Sequence, residues 1–270
     1  MHTLAVDGYD MAYLEIGQGR PLVCVHGTLG DFRTWSAVQG PLSKGHRVIS
    51  LSLRRFFPEH WDGVGDDYLM AQHVADMIGF LEKLGDGPID LMGHSRGGHI
   101  SFRIAQQRPD LLRKLVLAEP GGELDATLAP AASGPTPSQR AARMSASADK
   151  VKAGDIEGAL KLFFDTIEGD GAWGRLPTVA KQQLRDNVFT LIGQAGENRK
   201  PYSRADAQSI KTPTLFVGGT DTKGSLPAVL RALSAEVPGA KTAMIAGCGH
   251  WMFEQAPQQF SEIVTGFLKG

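Results

Sequence analysis

The run Gly93-His94-Ser95-Arg96-Gly97-Gly98 sets a serine between glycines at the spacing of a nucleophile elbow. In such an elbow a sharp strand-to-helix turn lifts the hydroxyl clear of a sheet. Glycines at 93 and 97 let the backbone fold tightly without a Cβ clash. A serine hydroxyl is a poor nucleophile at neutral pH. It needs a base to take its proton, and the base needs an acid partner to fix its tautomer and stabilise its charged form. His250, after the apolar run from Lys241 to Ala246, supplies the base, and Asp221, after the run from Pro213 to Val217, supplies the acid. Glu119, at the end of Leu115 to Ala118, is the alternative acid. The short carboxylate just beyond Gly218-Gly219-Thr220 favours Asp221. The chemistry of such a set is acyl transfer through a covalent serine intermediate.

The Gly-x-Ser-x-Gly pattern is weak evidence by itself in a chain with 33 glycines, so the claim rests on the elements around it. Residues from Leu4 to Ile16 alternate apolar and polar around Gly8, as an opening hairpin does. The continuous apolar run Pro21 to Val25 suits a strand covered on both faces, and Arg47 to Leu53, Ile89 to Met92, Leu115 to Ala118, Pro213 to Val217 and Lys241 to Ala246 read as further strands. Helical spacing separates them. A helix is expected from Asp31 to Leu42, and Met70, Val74, Met77, Ile78 and Leu81 mark another from Tyr68 to Leu84. Further helices follow the elbow and fill Leu226 to Ala235 and Pro257 to Leu268. This alternation specifies a doubly wound α/β sheet. His73 and Asp76, three apart on one helix, read as an exposed pair.

The alternation breaks after Gly121. An Ala/Gly/Ser/Pro-rich stretch from Ala126 to Ser138 leads into helical segments. One carries Ile156, Leu160, Phe163, Phe164 and Ile167 on one face behind the capping residue Asp155, and a second is expected from Pro177 to Ile192. The division that follows is a core of residues 1–120 and 205–270 with a helical insertion at 121–204 over the carboxyl end of the sheet. The loop from Arg54 to Asp67 follows a strand end, where ligands bind in open α/β sheets. It makes Arg54 and Arg55 candidate substrate contacts, with ordinary surface ion pairing as the favoured alternative, and Leu29, Trp173 and Trp251 are candidate contacts beside them.

The composition sets bounds. Of 270 residues, 42% are apolar and 21% charged, and the formal net charge is −1, which gives no reason to expect a nucleic acid or an anionic membrane as partner. The N-terminal residues lack a basic segment and apolar core of the signal-peptide kind, so a cytoplasmic location is expected. Cys24 and Cys248 are too few for a disulfide framework, and the histidines show no metal-ligand spacing. No G-x-G-x-x-G or phosphate-loop lysine is present. A small-molecule substrate with no cofactor and no metal is expected; monomer and homodimer both stay open.

These motifs resemble the α/β-hydrolase superfamily. The resemblance is carried by His26-Gly27, Gly93-His94-Ser95-Arg96-Gly97-Gly98, Gly218-Gly219-Thr220-Asp221, and Gly249-His250 followed by Glu254 and Pro257. The chain order Ser, Asp, His is the one expected of that arrangement. The resemblance implies a mostly parallel eight-stranded sheet with helices on both faces, a helical cap at the insertion, and an oxyanion hole made by the backbone N–H groups of Thr28 and Arg96. It also implies that His94 and His26 steady the elbow and oxyanion loops, and that the acid of some members comes from the position of Glu119. Where many relatives carry an Asp-x-x-Gly turn, this chain has Leu53-Arg54-Arg55-Phe56-Phe57. The activity implied is hydrolysis of an ester, lactone or related acyl bond. Cofactor-free carbon–carbon cleavage or cyclisation is the alternative, and a receptor that kept only the pocket is a third reading. Dehalogenase and epoxide hydrolase chemistry would need an Asp in place of Ser95.

Overall fold

The computed structural model describes residues 1–129 and 137–270, with the backbone alone at 137–141; part of the stretch from Ala126 to Ser138 therefore lies outside the described residues. Eight strands form one sheet: β1 (His2–Val6), β2 (Tyr9–Ile16), β3 (Pro21–Val25), β4 (Arg47–Leu51), β5 (Ile89–His94), β6 (Leu112–Ala118), β7 (Thr214–Gly219) and β8 (Lys241–Ile245). Their order across the sheet is β1-β2-β4-β3-β5-β6-β7-β8. β1 and β2 pair antiparallel and β2 meets β4 antiparallel, while every later pairing is parallel.

Strands β3, β5 and β7 are buried at every residue, as their unbroken apolar runs require of a sheet covered on both faces. Alternate side chains go to opposite faces. Val23 and Val25 join one cluster with Ile49, Leu91 and Leu117, packed under α2 (Met70–Leu84), α3 (Arg96–Gln107) and α10 (Leu226–Glu236). Leu22 and Cys24 join another with Met92, Val116 and Val217, under α1 (Ser36–Ser43) and α12 (Pro257–Lys269).

Between β6 and β7 lie α4 (Pro137–Lys152), α5 (Ile156–Glu168), α6 (Ala172–Arg175), α7 (Thr178–Asp186) and α8 (Thr190–Ala195), then the short α9 (Arg204–Gln208); α11 (Met252–Gln255) precedes α12. The α4–α8 segment packs a third cluster of its own, with Phe163, Phe164, Trp173 and Leu191, to which Leu29 from the sheet's carboxyl end contributes. Asp155 caps α5 as expected, accepting from the Gly158 N–H.

Several element boundaries differ from the sequence expectation. The helix expected over Asp31 to Leu42 begins as a 3-10 turn, Phe32–Trp35, with Asp31 closing a capping box, before α1 starts at Ser36. Strand β4 ends at Leu51: Ser52 N–H still donates to Ala12 O of β2, and the Leu53 N–H is then taken by His26 Nε2 rather than by a neighbouring strand. The helix expected from Pro177 to Ile192 breaks into α7 and α8 at Asn187. There the side chain is taken by the β3–α1 and β4–α2 loops: Nδ2 donates to Asp31 Oδ2 at 2.8 Å, and Oδ1 accepts from Phe57 N–H at 2.7 Å. His73 and Asp76 are fully buried rather than exposed. His73 lies on the same helical face as Met77 and Phe80, four and seven residues on.

Candidate active site

From residue 89 to residue 105 the chain is buried everywhere except at Ser95. Ser95 stands between β5 and α3 with φ 52° and ψ −116°, a conformation that costs a non-glycine residue on the order of 1–3 kcal/mol. The surroundings hold it there. Its N–H donates to Ala118 O, and its carbonyl accepts from His99 N–H and Gly121 N–H. The crossing is so close that a Cβ at Gly97 would stand 2.2 Å from Val25 O, and one at Gly93 2.4 Å from Gly97 O. Arg96 is the first residue of α3, so its backbone N–H belongs to the helix's unpaired N-terminal donors.

His250 is 1% exposed and Glu119 0%, and His250 Nδ1 donates to Glu119 Oε2 at 2.7 Å. This bond commits Nδ1 as the donor and leaves Nε2 as the acceptor of the neutral ring. Glu119 Oε1 in turn accepts from Gly219 N–H at 3.0 Å and Thr222 Oγ1 at 2.7 Å. Burial pushes the imidazole down to about 3 and raises the Glu119 carboxyl, against the Thr222 and Gly219 hydrogen bonds. The backbone of His250 is pinned from both ends. Its N–H donates to Glu168 Oε1 at 3.1 Å and its carbonyl accepts from His94 Nε2 at 3.0 Å. His26 Nδ1 donates to Gly27 O, consistent with the Leu53 N–H occupying its other nitrogen.

The expectation for Asp221 is corrected here. Asp221 is exposed, and among the described residues its carboxylate accepts only from the neighbouring Thr220 hydroxyl, at 2.9 Å. The loop that carries it serves Glu119 instead. Gly219 and Thr222 flank Asp221 and both bond the Glu119 carboxylate, while a Cβ at Gly218 would lie 3.1 Å from Glu119 Oε1. Gly218 makes room for a long carboxylate arriving from β6, the strand between β5 and β7, while Gly219 lets the Cys248 carbonyl approach.

The candidate substrate contacts divide. Trp251 lines a cavity with Ser95. Arg54 and Arg55 line none of the cavities that hold Ser95, because carboxylates of their own loop and of α2 claim them. Arg54 forks onto Asp76 at 2.8 Å and 2.8 Å, and Arg55 pairs with Asp67 and Glu59. Leu29 and Trp173 are buried in the α4–α8 cluster and face neither cavity.

The sequence reading missed a buried charge cluster beside the elbow. The Arg96 guanidinium donates to both Glu197 oxygens at 2.7 Å and to His73 Nδ1 at 2.7 Å. Arg199 Nε donates to Glu197 Oε2 at 2.8 Å and its Nη2 to Gln194 Oε1 at 3.2 Å; the Thr28 hydroxyl donates to the same Gln194 oxygen at 2.9 Å. Burial acts to raise the Glu197 carboxyl, but the two guanidiniums outweigh it and hold it far below the carboxylate range. Nothing periodic marks residues 194–199, so no sequence signal pointed to them.

Two cavities, of about 260 and 330 Å³, share Thr28, Ser95, Phe163, Ile167 and His250. The smaller continues past Glu168, Arg175, Gln183, Trp251 and Glu254. The larger continues past Met144, Leu162, Gln194, Arg199, Lys223 and Leu226. Among the described residues no three His, Cys, Asp or Glu side chains gather to hold a metal ion, and no helix is long and apolar enough to cross a membrane. A serine open to two cavities beside a buried histidine–carboxylate pair, with a helix N-terminus next to it, can activate a hydroxyl and receive negative charge on a carbonyl oxygen.

Comparison with known proteins agrees with this fold. The chain is 27% identical over 265 residues to an sn-1-specific diacylglycerol lipase of Mus musculus, covering 92% of this chain and 80% of the relative. It is 25% identical over 265 residues to a 2-hydroxy-6-oxo-2,4-heptadienoate hydrolase of Pseudomonas putida, covering 94% and 91%. In fold it resembles an enol-lactonase from Burkholderia xenovorans, with a TM-score of 0.81, 19% identity and coverage of 99% and 100% of the two chains. A family model for the alpha/beta hydrolase fold matches residues 20–257, and on that match the chain belongs to the α/β-hydrolase family of enzymes.

Proposed function

We propose that this protein hydrolyses a carboxylic ester or lactone of small to medium size through an acyl-enzyme on Ser95. The observation that carries the reading is the buried hydrogen bond from His250 Nδ1 to Glu119, on a ring that lines both Ser95 cavities. Ser95 Oγ attacks the carbonyl carbon as His250 Nε2 takes its proton, and the negative charge moves to the carbonyl oxygen. The N–H groups of Thr28 and Arg96 receive that oxygen; one such donor is typically worth about 3 kcal/mol. Glu119 fixes the tautomer and stabilises the imidazolium. His250 then returns the proton to the departing alkoxide. Water, deprotonated by the same nitrogen, cleaves the acyl-enzyme and releases the acid. In this reading residues 121–204 are a cap that closes the cleft over the core of residues 1–120 and 205–270, with Phe163 and Ile167 of α5 facing Ser95 from above.

Names among the relatives support hydrolysis and leave the bond open: a diacylglycerol lipase has an ester to cut, whereas the keto acid named for the second relative has none. Cleavage of a carbon–carbon bond is therefore the second reading. Labelling with a fluorophosphonate followed by peptide mass spectrometry is expected to place the adduct on Ser95, and Ser95→Ala is expected to abolish turnover across a panel of acyl substrates. Wild-type rates in Ser95→Ala would overturn the proposal. Residual conversion in Ser95→Ala together with a dead His250→Ala would favour the carbon–carbon reading.

A further inference from the structure

The two cavities that meet at Ser95 differ in charge. The smaller is lined by Glu168 and Glu254 against Arg175. The larger is lined by Arg143, Arg199 and Lys223 and by no Asp or Glu, with apolar walls from Met144, Leu162 and Leu226. Arg143 and Lys223 are exposed at its rim and form no ion pair among the described residues.

Its inner end is more specific. Gln194 is 1% exposed and lines this cavity. Its Oε1 already accepts from Thr28 Oγ1 and Arg199 Nη2, which fixes the amide's orientation and leaves Nε2 as a donor. That Nε2 is buried without a hydrogen-bond partner among the described residues, a condition that folded proteins rarely tolerate unless a ligand, ion or water completes it. Arg199 lies beside it, 7% exposed. It spends Nε on Glu197 and Nη2 on Gln194, and its Nη1 makes no hydrogen bond among the described residues. Arg96 and Arg199 bond the same carboxylate, Glu197, so the cluster brings surplus positive charge to the cavity wall.

We propose that the larger cavity is a carboxylate-binding site, in which Gln194 Nε2 and Arg199 hold a carboxylate carried by the substrate a short apolar spacer away from the bond that Ser95 attacks. This rests on the hydrolase reading of Ser95 and adds the class of substrate. An amide N–H and a guanidinium side by side suit a planar anion with two acceptor oxygens. The spacer is short because the Gln194 amide is one hydrogen bond from Thr28, whose backbone N–H receives the reacting oxygen. Met144, Leu162 and Leu226 give the spacer its apolar surroundings.

Two pairs of esters test the proposal. Phenyl hemiglutarate, with its carboxylate on the acyl part, is compared with neutral phenyl 5-methylhexanoate. The butanoate ester of 4-hydroxybutanoate, with its carboxylate on the leaving part, is compared with the butanoate ester of 4-methylpentan-1-ol. In one pair the charged ester is expected to exceed its neutral partner in kcat/KM by at least about tenfold. In Gln194→Leu, which keeps the side-chain volume, that ratio is expected to fall to near one, and Arg199→Gln should act in the same direction. The proposal is overturned if neither charged ester is preferred, or if the preference survives Gln194→Leu. Failure of the hydrolase reading looks different: no ester of either kind is turned over, and Ser95 takes no fluorophosphonate adduct.

Discussion

Glu119 faces one imidazole, whereas Glu197 faces two guanidiniums, and both carboxylates are buried within reach of the same cleft. Glu119 is anchored by a backbone N–H and a hydroxyl, neutral donors that hold the carboxylate in place without cancelling its charge. Its partner His250 can gain and lose a proton, and the stationary negative charge beside it favours the charged ring. Glu197 is bound to groups that stay charged at every working pH. One site is arranged so that charge can change during a reaction, and the other so that charge never changes. The second supports the first, because Arg96 begins the elbow helix and Thr28 hydrogen-bonds to Gln194, the residue that also receives Arg199.

The largest effect that would sharpen this contrast is on rate at Glu119. Glu119→Gln should lower kcat by about 10²- to 10⁴-fold, by analogy with loss of the acid in serine triads, with little change in melting temperature. Steady-state kinetics beside a thermal melt will show it, and a fall below tenfold would break the contrast. At Glu197 the expected loss is of stability. Glu197→Gln removes the carboxylate that both guanidiniums share, and breaking a buried ion pair costs about 3–5 kcal/mol. For a chain of this size that corresponds to a fall in melting temperature on the order of 10 °C, and an unchanged melt would show that the cluster is held by other means. The smallest effect is expected at Asp221. Because it is exposed and makes no contact with His250, Asp221→Asn should change stability by no more than about 0.5 kcal/mol and leave kcat within about twofold. A loss as deep as that of Glu119→Gln would return Asp221 to the acid's role.

Much of the fold was legible in the chain because its signals are local. Short strand-like runs ending in turn residues name the later strands, and the glycines around Ser95 name the elbow, since only they allow the approach of Gly97 to Val25 O. Trp251 in a Ser95 cavity follows from standing next to His250. Of the two readings of Arg54 and Arg55, ion pairing is the one the structure bears out, and for a physical reason: a loop after a strand does face the carboxyl end of the sheet, but guanidiniums there pair with whatever carboxylates come nearest. Asp67, Asp76 and Glu59 come nearest here. His73 was legible in principle, since it shares a helical face with Met77 and Phe80, but its partner Arg96 lies on another helix.

The sequence by itself determined that a serine would stand at a strand-to-helix turn and a histidine at the end of the last strand, because backbone sterics and apolar periodicity act over neighbouring residues. Its local signal pointed to Asp221, although Glu119 also follows a strand at the same end of the sheet. The tertiary structure sets Glu119, not Asp221, against His250. With β6 lying between β5 and β7, a glutamate at its end reaches His250 with its longer side chain, and Gly218 of β7 gives it room. The cluster of Arg96, Glu197 and Arg199 was likewise decided by packing, because its ion pair joins residues 101 positions apart, and nothing local in the chain records that meeting.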